Sequence, residues 1–236
     1  MKDDIGPTSL ISYVSITLIF FIVKSKFGFE GQSTAWIWIF LIFTGIVQFC
    51  NNVYITQYPE ICGSYNISNA LTSTIVPWIF IFGLSCVCLI YIPGWLRVFS
   101  NTIGSGVANM VGLSEAVNNI FKPIKSTGND SHDTINETAN LLYANRNSFI
   151  NEINMDYKKI GENVTWESLD TILKFMKLEI LDPGQKNQLY DDLYQKLVLK
   201  EDIGYFCWFI LVGCISIVIS TNSILLTNCN SVEFNF

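Results

Sequence analysis

The sequence predicts an all-α integral membrane protein with about four transmembrane helices, a juxtamembrane amphipathic helix and a small three-helix bundle inserted between spans three and four. Three observations lead to this fold class. Half of the 236 residues are hydrophobic and 14% are charged, against about 25% in an average soluble domain. Residues 94 to 204 hold 26 of the 34 charged residues. Four other stretches are apolar and approach or exceed the roughly 20 helical residues that cross a bilayer.

The first two spans, Ile5 to Val23 and Thr34 to Asn51, are predicted to form a helical hairpin. A cleaved signal peptide is the alternative for the first span. Signal peptides begin with a basic region, whereas Asp3 and Asp4 make this region acidic, and no A-x-A-like cleavage site follows the span. A buried hairpin in a soluble core is the alternative for the pair, yet the second stretch is apolar on all sides. With the exterior loop that follows, the hairpin occupies residues 1 to 70.

The third and fourth spans are the clearest, since neither contains a charged residue. They are Leu71 to Ile92 and Tyr205 to Leu226. We therefore assign residues 71 to 92 to the third transmembrane helix, 205 to 226 to the fourth, and 227 to 236 to an exterior tail.

Basic residues flanking the spans predict the orientation, because Lys and Arg are retained on the cytoplasmic side. Lys24 and Lys26 lie between spans one and two, and Arg97 and Lys200 lie between spans three and four. The segments 52 to 70 and 227 to 236 contain no Lys or Arg. Both termini are thus predicted to be non-cytosolic and the polar domain cytosolic, with Lys2 as the one dissenting charge.

The exterior loop carries two candidate modifications. Cys50 and Cys62 bracket it on the side where disulfides persist, so we predict a bond between them; the alternative is that these and Cys229 stay reduced near the bilayer. Asn66 begins an Asn-Ile-Ser sequon on the same side and is a candidate glycosylation site.

Residues 93 to 121 read as a juxtamembrane interfacial segment that starts at a Pro-Gly pair. Apolar side chains recur there at helical spacing, at Leu96, Phe99, Ile103, Val107, Met110, Leu113, Val117 and Phe121. We expect Trp95, Arg97 and Phe99 to lie at the membrane interface, with the indole at headgroup depth and the guanidinium reaching lipid phosphates. Glycines at positions 104, 106 and 112 either weaken this helix or permit close packing against another helix.

Residues 122 to 204 are predicted to form a cytosolic helical domain, with a linker over 122 to 132. The first helix of the bundle is indicated by a periodic apolar pattern at Ile135, Ala139, Leu142, Phe149, Ile153, Tyr157 and Ile160. Thr165 is a candidate cap for the second helix, and Asp182 begins an Asp-Pro-Gly-Gln start for the third. Residues 132 to 201 thus read as a three-helix bundle.

Catalytic, cofactor-binding and metal-binding residues are not expected. His132 is the one histidine and sits in a polar linker, so no zinc site of the usual kind is available. Cys86 and Cys88 are two residues apart, about 200° around a helix, and do not form a redox pair. The spans contain no ionisable residue of the kind that coupled carriers use, and the net charge of -6 argues against nucleic acid as a direct ligand. We predict that the protein is not an enzyme.

One segment suggests a family. Pro77-Trp78, Phe82-Gly83 and the run from Ile92 to Gly104, IPGWLRVFSNTIG, resemble a signature of virion membrane proteins of large icosahedral DNA viruses of algae and amoebae. The similarity covers about 28 residues, and PGWLR-x-FSNT-x-G is its most specific part.

This resemblance implies an integral protein of the inner virion membrane beneath the capsid shell, assembled on a host-derived internal membrane. Its implied partners are the lipid bilayer and major or minor capsid proteins, with multiple copies in each virion. The implied function is that of a minor capsid component that anchors membrane to shell through the polar domain. A small membrane channel or carrier is the alternative, and a fusion factor is a third interpretation.

Overall fold

A computed structural model of the chain describes residues 2–27, 34–120, 149–151, 157–160, 163–175 and 183–226. The chain divides into two compact units. The membrane unit comprises Met1–Val98 and Tyr205–Phe236, and the polar unit comprises Phe99–Gly204. Within the described residues, four helices are long and apolar enough to cross a membrane. The predicted all-α membrane fold is therefore confirmed.

The elements in chain order are α1 (Lys2–Phe27), α2 (Ala35–Thr56), α3 (Ile67–Pro77), a π-helical segment (Trp78–Gly83), α4 (Leu84–Tyr91), α5 (Pro93–Phe99), a second π-helical segment (Ser100–Gly104), α6 (Ser105–Met110), α7 (Leu113–Ile120), strands β1 (Tyr157–Ile160) and β2 (Asn163–Trp166), α8 (Glu167–Phe175), a 3-10 turn (Pro183–Gln185) and α9 (Lys186–Leu226). The third span runs as one helical path over Ile67–Tyr91. It begins four residues earlier than the sequence predicted. Helix α9 includes the predicted last bundle helix and the predicted fourth span without a break.

Local chemistry explains the interruptions of the third span. Asn66 caps α3, because its side-chain oxygen accepts a hydrogen bond from the Asn69 amide at 3.0 Å. Pro77 has no N–H to donate to the preceding turn, and the helix widens into a π segment directly after it. Ile92 leaves the helical conformation, at φ -118° and ψ 89°, as expected of a residue that precedes a proline. Pro93 then opens α5.

The polar unit has its own hydrophobic core. Trp166 is fully buried there, and its ring meets the Tyr190 ring edge-on at 5.9 Å between centroids. The other buried members come from α6, α7, α8, α9 and residues 149–150, and include Ala108, Leu113, Ile120, Leu169, Leu173, Leu193 and Leu197. This unit is thus held by side-chain packing of its own.

A β-hairpin replaces part of the predicted first bundle helix. Strands β1 and β2 pair antiparallel, with Tyr157 opposite Trp166 and Ile160 opposite Asn163. The helix predicted to run through Tyr157 and Ile160 is therefore wrong at these positions, and its pattern between residues 121 and 148 lies outside the described residues. The predicted cap at Thr165 is also wrong: Thr165 lies in β2, and its hydroxyl donates to the Lys158 carbonyl across the hairpin at 3.3 Å. The predicted cap at residue 182 lies outside the described residues.

The predicted interfacial stripe is not one continuous face. Ser100, Gly104 and Ala108 are buried, whereas Ile103 and Met110 from the predicted stripe are exposed. The physical reason is twofold. The π segment Ser100–Gly104 changes the helical phase, and Gly112 adopts φ 95°, which turns the chain between α6 and α7.

Two glycines allow backbones to approach closely within the polar unit. A Cβ at Gly104 would lie 2.2 Å from the Lys200 carbonyl oxygen, and a Cβ at Gly204 would lie 2.8 Å from the Ser100 Cβ. Of the two roles that the sequence left open for Gly104, close packing against another helix is the one observed.

Candidate functional site

A layer of stacked aromatic rings forms the interior of the membrane unit. The Phe40 and Phe209 rings are parallel within 10°, with centroids 4.8 Å apart. The Phe82 ring meets both edge-on, at 6.2 and 5.6 Å. All three side chains are fully buried. They come from α2, the first π segment and α9, so this aromatic layer joins three of the spanning helices.

Tyr13 of α1 is inserted into the same layer. Its hydroxyl donates to the Phe209 carbonyl at 2.7 Å, and its ring lies edge-on to Phe40 and Phe82. Gly213 provides the space, because a Cβ there would come within 2.0 Å of the tyrosine oxygen. The sequence signal for this contact is the isolated glycine in a mostly apolar, uncharged span.

Trp78 packs against a glycine of α2, as Tyr13 packs against Gly213 of α9. Its indole Nε1 donates to the Leu41 carbonyl at 3.1 Å, and a Cβ at Gly45 would lie 2.9 Å from the same ring. Trp78 is buried. This residue belongs to the Pro77-Trp78 part of the segment that suggested a family, and its role here is to fix α2 against the third span.

A cluster of neutral polar side chains is buried between the spanning helices. The Asn52 amide nitrogen donates to the Thr74 hydroxyl at 2.7 Å and the Ser220 hydroxyl at 2.8 Å, and Gln48 donates to the Asn52 oxygen at 3.1 Å. We call these four residues the carboxamide cluster. It links α2, α3 and α9 in the way that small polar residues commonly join membrane helices.

Thr74 makes its interhelical hydrogen bond in this cluster. Thr72, in the same span, bonds instead within its own helix, to the Ser68 carbonyl at 3.1 Å. Asn222 in the fourth span is exposed. Sequence reasoning did not single out Gln48 and Asn52, although two carboxamides four residues apart in an otherwise apolar helix mark one face.

Of the predicted interface residues, Trp95 and Arg97 are exposed in the membrane unit. Trp95 stacks on Trp208 with centroids 5.3 Å apart, and the Trp208 indole donates to the Trp95 carbonyl at 2.7 Å. A stacked indole pair of which Trp95 is exposed and Trp208 half-buried suits the headgroup region of a bilayer. Phe99 belongs to the polar unit and is half-buried.

The predicted bond between Cys50 and Cys62 is wrong. Cys50 is a free, exposed thiol, whereas Cys62 is disulfide-bonded. The reason is that α2 continues to Thr56, beyond the predicted end at Asn51, so that Cys50 lies on an outward-facing helix surface. The cysteines at positions 86, 88, 207 and 214 are also free. Cys229 lies outside the described residues.

Asn66, the candidate glycosylation site, is half-buried at the start of α3. Besides capping the helix with its side-chain oxygen, it donates its backbone N–H to the Thr56 hydroxyl at 3.1 Å. The side-chain nitrogen to which a glycan would be attached takes no part in either bond.

Among the described residues of the polar unit, a charged cluster joins α8 to α9. Lys186 donates to both carboxylate oxygens of Asp170, at 2.9 and 3.3 Å, and the Tyr190 hydroxyl donates to Asp170 Oδ1 at 2.7 Å. Burial by itself raises the pKa of Asp170, but the hydrogen bonds from Tyr190 and Lys186 and the lysine charge outweigh it and hold the pKa below its ordinary value. Burial, followed by the bond to Asp170, raises the pKa of the Tyr190 phenol.

Replacing Asp170 with asparagine should reduce the acid sensitivity of the polar unit. Because the folded pKa lies below the unfolded value of about 3.9, the stabilisation is present above about pH 4 and is lost as the pH falls through the folded pKa. Unfolding of the full chain in detergent, followed at several pH values, should show a smaller loss of stability in acid for D170N than for the parent chain. The matched control is Asp192→Asn, which removes an exposed carboxylate paired with Lys196. Parallel pH curves for D170N and the parent chain would contradict the expectation.

The described residues contain no group of three or more His, Cys, Asp or Glu side chains that could hold a metal ion. His132 lies outside them. The acidic pair at the start of α9 has nearby partners, since Gln195 donates to Asp191 at 3.0 Å and Lys196 pairs with Asp192. Within the described part of the chain, the features that distinguish this protein are thus the aromatic layer and the carboxamide cluster of the membrane unit and the separate hydrophobic core of the polar unit.

Comparison with known proteins adds no relative: no family model, no curated protein and no solved structure matches this chain.

Proposed function

We propose that the chain is a structural virion membrane protein, a minor capsid component that anchors the inner membrane of a large icosahedral DNA virus to its capsid shell through the polar unit. The observation that carries this proposal is the division into a membrane unit of spanning helices and a polar unit with a core of its own. A bilayer anchor and a folded docking domain are the two parts that such a tether needs. The role is non-enzymatic and requires no cofactor.

Two further features support the proposal. The segment from Ile92 to Gly104 resembles virion membrane proteins of this class of virus. Cys62, in the loop after α2, is disulfide-bonded, and disulfides persist in oxidising compartments. With four spans, a loop on the non-cytosolic side leaves residues between the third and fourth spans cytosolic, where capsid proteins assemble.

The sidedness is tested by labelling sealed membranes with an impermeant maleimide, after replacing the free cysteines with alanine. Thr171→Cys reports on an exposed position of α8, and Ser64→Cys reports on an exposed position of the α2–α3 loop. We expect labelling of T171C from the cytosolic side and protection of S64C. The reverse pattern would place the polar unit in the lumen and eliminate the tether.

Capsid binding is tested by flotation of liposomes that carry the full chain, mixed with the major and minor capsid proteins of the virus at virion-like salt. Capsid protein should rise with the liposomes, and cross-links should reach lysines of the polar unit such as Lys158 and Lys174. Liposomes without the chain are the control. If no capsid protein floats, although the labelling pattern is as expected, the docking role is wrong.

A small channel or carrier is the second candidate, and the carboxamide cluster inside the spanning helices is the observation that favours it. The aromatic layer opposes it, because Phe40, Phe82 and Phe209 are fully buried and their rings pack against one another. Conductance across liposomes that carry the chain would favour this candidate over the tether.

A further inference from the structure

An apolar groove of about 750 Å³ lies on the membrane unit, between α2 and the third span. Its volume falls within the range of about 300–1,000 Å³ typical of small-molecule sites. Trp38, Ile42 and Ile46 contribute from α2, and Ile75, Ile79 and Leu84 contribute from the third span. Both walls are helices long and apolar enough to cross a membrane, so the groove lies at a depth where its surroundings are hydrocarbon.

The polar atoms that border the groove are already engaged within the protein. Thr74 donates to the Ala70 carbonyl at 2.7 Å and accepts from Asn52, and the Trp78 indole N–H donates to the Leu41 carbonyl. A ligand with polar groups at this depth would lose its hydration without gaining hydrogen bonds, which is costly. The groove therefore fits a hydrocarbon occupant.

Gly45, a glycine of the groove, is not available to a partner helix, because it is already in contact with the Trp78 ring. Interfaces between membrane helices are enriched in small residues that let backbones approach. Here the outward side chains are large, with Ile42 62% exposed and Ile79 58% exposed. A flexible chain can follow such a surface more readily than a rigid helix.

We propose that this groove binds one acyl chain of a membrane phospholipid, as a lipid retained between α2 and the third span. The Trp78 contact with Gly45 preforms the site, because it fixes the two walls relative to each other before any lipid enters. The inference is independent of the tether function, since it concerns the membrane unit alone.

The test uses the full chain in phosphatidylcholine vesicles that contain a small fraction of phosphatidylcholine with a diazirine in its acyl chain. After illumination, cross-linked positions are mapped by mass spectrometry. We expect several-fold more cross-linking at Ile42, Ile46 and Ile79 than at Ile11 and Ile215, which are similarly exposed on α1 and α9 but lie outside the groove.

A groove-filling variant sharpens the result. Ile42→Trp should cause a several-fold loss of cross-linking at Ile79, whereas the matched variant Ile11→Trp should leave that signal unchanged. Uniform cross-linking at all exposed positions would overturn the proposal, because it would show ordinary contact with bulk lipid. Cross-links between two copies of the chain at the groove would also overturn it, by showing that a second copy occupies the groove.

Discussion

Gly104→Ala should destabilise the polar unit by about 3 kcal/mol or more, the upper range for overpacking. The added Cβ would lie 2.2 Å from the Lys200 carbonyl oxygen and 3.5 Å from the Lys200 Cα. Because these atoms belong to the backbone, no change of rotamer relieves the clash, and the helix that contains Gly104 must move away from α9. Chemical denaturation of the full chain in detergent, with limited proteolysis of the polar unit as a second readout, measures the effect.

Gly106 provides the matched control for this variant. It lies two residues further along, in α6, and no heavy atom comes within 4 Å of a Cβ built there. Gly106→Ala should be neutral or stabilise the chain by about 0.5–1 kcal/mol, since alanine restricts the unfolded chain and favours the helix. Equal stability of G104A and G106A would show that the close contact is not maintained in the folded protein.

Gly213→Ala should destabilise the membrane unit by about 2–3 kcal/mol. A Cβ at this position would lie 2.0 Å from the Tyr13 hydroxyl oxygen and 2.1 Å from Cζ. Tyr13 is 4% exposed and lies edge-on to Phe40 and Phe82. Its ring has little room to withdraw, and any withdrawal breaks the bond to the Phe209 carbonyl in an apolar interior. Thermal unfolding of the full chain in detergent micelles measures this loss of stability.

A double-mutant cycle separates this steric contact from a general loss of helix packing. Tyr13→Leu shortens the side chain that meets position 213, so the double variant Y13L/G213A should be more stable than the sum of the single effects predicts. Gly94→Ala is the control, because nothing lies within 4 Å of its Cβ position. Strict additivity of Y13L and G213A would mean that the two residues do not share a contact.

The four spans could be predicted from the sequence because hydrophobicity over about 20 residues requires no knowledge of partners. Their ends were less predictable. Asn66 caps α3 through its own side chain, so the third span starts at Ile67 and includes the polar residues Ser68 and Asn69. The helix α2 continues past Asn51 because Asn52, polar in sequence, is fully buried by bonds to Thr74 and Ser220. Such tertiary partners are invisible in a hydropathy pattern.

The polar unit was harder to predict for a related reason. The spacing of three between Tyr157 and Ile160 fits one face of a helix, but two residues are too few to fix a period, and these residues form a strand that pairs with β2. The apolar residues from Leu96 to Val117 also follow helical spacing. That spacing puts them on one face only if the helix turns by the same angle at every residue, and the π segment Ser100–Gly104 interrupts this regular turn. Whether such short segments form a helix or a strand is determined by the elements against which they pack.

The π segment at Trp78–Gly83 is a place where the third span can lose one residue and remain helical. A π turn contains one residue more than an α-helical path needs, so loss of one residue there would allow the third span to continue as an ordinary helix. The same deletion in the middle of α2 would rotate Asn52 by about 100° relative to the preceding turns and remove it from Thr74 and Ser220. Single-residue deletions among relatives are therefore expected at positions 78 to 83 and not within α2.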